Sequence, residues 1–186
     1  MSLRLIRLVM SGKFKEKKKM QYVDCYVNSY IGTGPWATRT DRLVNIRSKK
    51  YSHSEYEFED GISFSSSVRK DMNTGSSEGV RFKKIDYNKH PERWKKNLLI
   101  LPIDIAANIR RRAEILVSLE LKYDKRAILG FLITGRHNPW AFYCSEVVYG
   151  IMAADLLLPV LNYKMHPAKL NWVAEKISEQ LKREAA

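Results

Sequence analysis

Apolar and polar residues alternate most regularly across YSHSEYEFEDGISFSSSV, residues 51–68. Successive strand side chains point to opposite faces. A three-residue loop of Glu59, Asp60 and Gly61, with Gly61 left-handed, is a common way to close such a hairpin. It would pair Phe58 with Ile62 and Tyr56 with Phe64, placing four apolar residues on one face. The other face would carry His53, Glu55 and Glu57 from the first strand, and Ser63, Ser65 and Ser67 from the second. A two-residue loop would set Phe64 opposite Glu57 and mix the faces, so the pattern selects the longer loop.

Around this hairpin the pattern predicts further strands and three helical segments. QYVDCYVNSYIGTG reads as a strand running into a Gly-rich turn, and TRTDRLVNIRSKK as a short helix or a loop. RKDMNTGSSEG is a turn-rich connector, VRFKKIDY a strand, and HPERWKKNLLILPI a turn followed by a strand. A helix is expected from Asp104, which can cap it, because Ile105, Ile109, Ala113 and Leu116 recur at helical spacing. Arg110, Arg111 and Arg112 within it read as a solvated face. Pro139 keeps the approach to Cys144 non-helical, and a second helix is expected from about Cys144 to Leu157, ended by Pro159. NWVAEKISEQLKREAA is an amphipathic closing helix.

At 186 residues, 45% hydrophobic and 28% charged, the chain fits one globular domain with a real core. Two cysteines give no disulfide framework and no C-x-x-C metal knuckle, which points to a reducing compartment. No apolar run is long enough to cross a bilayer; LLILPIDIAA is broken by Pro102 and Asp104. Residues 1–19 hold seven lysines and arginines against Glu16 alone, so +6 of the net +13 lies there and +7 in the rest. This leader reads as a flexible basic arm outside a domain spanning 20–186. Its apolar part is short and precedes the basic cluster, the reverse of a secretory signal, and a cytoplasmic location is expected. The arm offers weak attraction to nucleic acid or anionic membrane, but charge alone identifies neither.

The segment FYCSEVVYG, residues 142–150, places Cys144 at a helix start. A helix N-terminus and a neighbouring imidazolium both favour thiolate over thiol, so Cys144 is a candidate nucleophile and His53 its candidate base. A Cys–His pair needs a third group on the far side of the imidazole. Glu55 lies two residues along on the same strand face, and Ser65 across from it. Because α-carbons at that spacing stand roughly 6–7 Å apart, Glu55 must bend to reach. The opposing reading is a buried cysteine packing as a small apolar residue, which is also the reading for Cys25. Glu146 suits a capping role in the first helical turn, and Ser145 a structural one. Trp140 and Tyr143 line a cleft or belong to the core. His137 is a poorer alternative base, and no spacing supports a zinc site of His53, His137 and Cys144. No cofactor motif is present.

Three pieces in order, YSHSEYEF at 51–58, YDKRAILGF at 123–131 and WAFYCSEVVYG at 140–150, resemble the circularly permuted branch of the papain-like NlpC superfamily of cysteine hydrolases. In that branch the histidine motif comes first and the cysteine motif late. The resemblance covers residues 51–150 and implies an α+β fold: a small antiparallel sheet or half-barrel packed against the helix carrying the cysteine. It implies Cys144 as nucleophile, His53 as general base, and Glu55 or alternatively Ser65 as the third group. It further implies cleavage of a peptide, amide or lipid ester bond without a cofactor, or acyl transfer, in a bacterial or phage protein, in the host cytoplasm if phage-encoded. The competing expectation is a papain-like module that binds nucleic acid or anionic membrane through basic clusters.

Overall fold

The computed structural model describes residues 21–68, 78–123, 141–159 and 165–185. Five antiparallel strands form its main sheet: β1 (Tyr22–Ile31), β2 (Tyr51–Glu57), β3 (Ile62–Ser67), β4 (Gly79–Lys84) and β5 (Trp94–Pro102). Their spatial order is β4-β3-β2-β1-β5, a meander whose first strand is flanked on its free side by the last. Among the described residues four helices accompany the sheet: α1 (Arg39–Ser48), α2 (Ile103–Ser118), α3 (Cys144–Ala153) and α4 (Pro167–Ala185). A short parallel pair, β6 (Lys122–Tyr123) and β7 (Ala141–Phe142), lies just ahead of α3 in the chain. The fold is therefore α+β, built on a small antiparallel sheet.

The hairpin has the expected register. Tyr56 pairs with Phe64, Phe58 N–H donates to the Ile62 carbonyl at 2.9 Å, and Gly61 sits at φ +76°. Cys25, Val27, Tyr56, Phe58, Phe64, Val80, Leu99 and Leu101 form one apolar face. Against it pack Ala106, Ile109 and Ala113 of α2, Val147, Val148, Ile151 and Met152 of α3, and Leu170 and Ala174 of α4. Burying each large side chain contributes roughly 1.5–3 kcal/mol, so this three-helix contact is what holds the fold together.

The opposite face is polar, as expected, and it is buried as well: Asn28, Glu55 and Ser63 are all 0% exposed. Tyr87, from a 3₁₀ turn at Tyr87–Lys89, closes over it, its hydroxyl 2.7 Å from Ser63 Oγ and its ring edge-on to Trp94. Buried polar atoms need partners, and some here find one another while Asn28 Oδ1 and Glu55 Oε2 do not among the described residues. Asn28 Nδ2 donates to Glu57 Oε2 at 2.7 Å, and Lys96 pairs with Glu57 at 3.0 Å.

Several boundaries differ from expectation. α2 begins at Ile103 with Pro102 in the cap position, so Asp104 does not cap the helix; it lies in the first turn, where a carboxylate still meets the helix dipole favourably. α3 ends at Ala153 and continues as turns to Leu157. The arginines of α2 are not a plain solvated face. Arg110 pairs with Asp60 at 3.0 Å and stacks 4.5 Å from the Phe58 ring, while Arg112 pairs with Asp155 at 2.9 Å. Among the described residues, no helix is long and apolar enough to cross a membrane.

Candidate active site

β2 carries the site's histidine because its ladder with β3 is short. Pairing is made at Tyr56 with Phe64 and at Glu57 with Ser63, whereas β1 pairs along β2 as far as His53 and Tyr51. The β3-facing side of β2 thus opens towards His53. α3 packs against both β2 and β3, and its first residue, Cys144, sits beside His53, near enough for its sulfur to act on the imidazole. The sheet and the helix bring together two residues that are 91 positions apart in the chain.

On its other side the imidazole is held by Glu55, with His53 Nε2 2.7 Å from Glu55 Oε1. The bent side chain that the strand spacing requires is therefore adopted. With Nε2 engaged by the carboxylate, Nδ1 is the ring nitrogen left for the sulfur. Ser65 makes a different contact, its hydroxyl donating to the Ser54 carbonyl at 2.6 Å. Hydrogen-bond geometry, rather than distance along the strand, separates the two candidates.

Burial alone would push the His53 pKa down. The influence of the Cys144 sulfur, and after it the Glu55 carboxylate, outweighs this and raises it to about 9. Burial would likewise push Glu55 up, yet the Lys83 ammonium, and after it His53, hold its carboxyl down to about 2. Lys83 Nζ lies 2.7 Å from Glu55 Oε1. Cys144 and Glu55 are both 0% exposed, while the His53 side chain keeps 21%. Solvent reaches the pair from the histidine side.

The residues behind the thiol are structural. Glu146 Oε2 accepts the Tyr143 backbone N–H at 3.1 Å, the reach-back half of a capping box. Ser145 Oγ donates to the Met165 carbonyl, tying the start of α3 to the approach to α4. Tyr143 is fully buried among Val44, Cys144 and Tyr123, so it is a core aromatic and not a cleft wall. α1 is locked beside the site by Thr38, whose N–H donates to Asp41 Oδ2 at 2.8 Å, while Asp41 Oδ1 accepts from Ser52 Oγ at 2.7 Å. Cys25 is buried on β1, and burial first of all pushes its thiol up to about 11. Trp140, His137, the basic leader and most of YDKRAILGF lie outside the described residues.

Lys83, Tyr87 and the Asp41–Ser52 tie are absent from the sequence reading. Lys83 had a usable signal. Carrying the hairpin register one strand further pairs Ser63 with Lys83, on the same face as Glu55. Tyr87 and Ser52 act through contacts that no spacing rule predicts. Compared with protein-family models, curated proteins and solved structures, the chain finds no match.

Proposed function

We propose that this protein is a thiol hydrolase of the permuted papain-like kind, acting on an amide or ester through an acyl-enzyme. One observation carries the reading: His53 stands between a cysteine at a helix start and a buried carboxylate that hydrogen-bonds its ring. A buried structural cysteine has no need of an imidazole held in this way. A helix start and an imidazolium both favour the thiolate, and an anion beyond the ring favours the imidazolium.

In the reaction, Cys144 Sγ, its proton transferred to His53, attacks the substrate carbonyl carbon. The new C–S bond forms as the carbonyl π pair moves to oxygen. The Cys144 backbone N–H, in the first turn of α3 and without an intrahelical acceptor by helix geometry, donates to that oxyanion. Collapse of the intermediate breaks the C–N or C–O bond, and His53 gives its proton to the leaving group. Water then attacks the thioester, losing a proton to His53, and Cys144 is released with the acid product. Glu55 holds the ring and its charge throughout and does not itself take the proton.

Alkylation with iodoacetamide, read by mass spectrometry of the Cys144 and Cys25 peptides, tests the assignment. Cys144 should label near neutral pH at least tenfold faster than in the denatured chain, with Cys25 as the slow internal control. His53→Ala should remove that advantage. Labelling no faster than in the denatured chain would rule the reading out. The basic-module alternative has less to work with among the described residues, since Arg110 and Arg112 are committed to acidic partners.

A further inference from the structure

Glu55 is bound from two directions on a single oxygen. Oε1 lies 2.7 Å from His53 Nε2 and 2.7 Å from Lys83 Nζ, while the buried Oε2 meets no hydrogen-bond partner among the described residues. Lys83 belongs to β4, two strands away from β2, and reaches across β3 to make this contact. Lysines near a surface usually extend the ammonium into water. Lys83, with its side chain 19% exposed, turns it instead onto a fully buried carboxylate.

The other groups facing this cluster leave Lys83 a distinct part. From α3 comes Cys144, on the far side of the imidazole. β3 contributes only the hydroxyls Ser63 and Ser65, and β1 the neutral Asn28. Tyr87, from the 3₁₀ turn, is kept neutral, because burial and then the Glu55 charge push its hydroxyl up. Glu57, next on the same face of β2, is matched by Lys96 at 3.0 Å. Arg81 lies two pairs further along β4, opposite Ser65. Among the described residues, Lys83 and His53 are the cations shown in direct contact with the Glu55 carboxylate.

Resting on the hydrolase reading above, we infer that Lys83 is a positioning residue of the catalytic cluster: it pins the Glu55 carboxylate through Oε1 and keeps it ionised, so that His53 stays clamped as the partner of the Cys144 thiolate. The four groups then alternate in sign, from sulfur to imidazolium to carboxylate to ammonium. Loss of the ammonium leaves a buried carboxylate facing one cation. Glu55 would then take up a proton at a higher pH, and each protonation would release the imidazolium from its counter-charge. An opposite charge this close lowers a carboxyl pKa by about one to three units, so the loss is visible on a pH axis.

The test is the pH profile of Cys144 alkylation by iodoacetamide in wild type, K83M and K83R, with thermal melting of each. In K83M the acid limb should move up by about one pH unit or more. Near pH 4 the rate should fall by up to about tenfold below wild type, and near pH 8 it should stay within about twofold. K83R, which keeps the charge, should restore the wild-type limb even if its melting temperature does not recover. A purely structural lysine would lower melting temperature and leave the limb in place, and an unmoved limb in folded K83M overturns the assignment. Slow labelling of the wild type would instead defeat the hydrolase reading, and the role of Lys83 with it. If K83M does not fold, nitrogen NMR of the wild type decides: the Lys83 ammonium and the His53 ring should share an inflection as His53 titrates, and separate inflections overturn the proposal.

Discussion

Replacing Glu55 with glutamine changes the volume hardly at all and removes one charge from the centre of the cluster. The magnitude follows from the two groups it joins. A carboxyl held at about 2 instead of 4.5 represents roughly 3 kcal/mol, at about 1.4 kcal/mol for each pH unit, and an imidazole raised from 6.5 to about 9 represents a similar amount. These figures view overlapping contacts from two ends and are not added. Glutamine still offers Lys83 and His53 an acceptor, but leaves both cations without their shared counter-charge. A loss of about 3 kcal/mol is expected, in the range for breaking a buried pair. Its pH dependence has a definite sign. Glu55 is depressed in the fold, so its contribution is present above 4.5 and lost as pH falls towards 2. His53 is raised, so its contribution is full below 6.5 and lost as pH rises through about 9. The cluster therefore supports wild-type stability best between 4.5 and 6.5. Urea unfolding followed by tryptophan fluorescence, at about pH 5.5 and about pH 9, measures both effects. E55Q should be less stable than wild type at the lower pH and should lose less on going to the higher. A wild-type midpoint with a wild-type pH slope would refute the account of the cluster.

Two further substitutions separate neighbouring roles. Ser65→Ala removes the hydroxyl that donates to the Ser54 carbonyl; it should cost about 1 kcal/mol in urea unfolding and leave Cys144 alkylation unchanged. Glu146→Ala removes the reach-back to the Tyr143 N–H at 3.1 Å; it should cost about 1 kcal/mol and keep the pH at which His53 titrates by NMR.

Much of the fold was legible because the hairpin's information is local. Its loop length, its glycine and the alternation of its faces select one register, and the strand pairs of the structure follow it. The start of α3 at Cys144 was legible for the same reason, since Pro139 precedes it and apolar residues at helical spacing follow. The burial of the polar face was not legible, because the residue that covers it, Tyr87, lies beyond two strands and a connector and is placed by tertiary packing alone. The choice of Glu55 over Ser65 was within reach of the register but not decided by it. What favours Glu55 is that its carboxylate lies 2.7 Å from the imidazole while the Ser65 hydroxyl donates to Ser54. Lys83 shows the opposite failure, since the pairing that carries it to the cluster is a simple extension of a register already in hand.

The order of the elements along the chain also has a consequence for biosynthesis. All five main-sheet strands lie between Tyr22 and Pro102, so His53, Glu55 and Lys83 are made within one continuous stretch, while Cys144 arrives only with α3. Growing from its N-terminus, a nascent chain displays the base and its carboxylate well before it possesses a nucleophile. On the hydrolase reading, a polypeptide that ends before Cys144 has no nucleophile with which to cleave anything. Until the sulfur arrives, the imidazole also lacks one of the two anions that raise its proton affinity. Completion of α3 would then switch on reactivity and raise the basicity of His53 in one event.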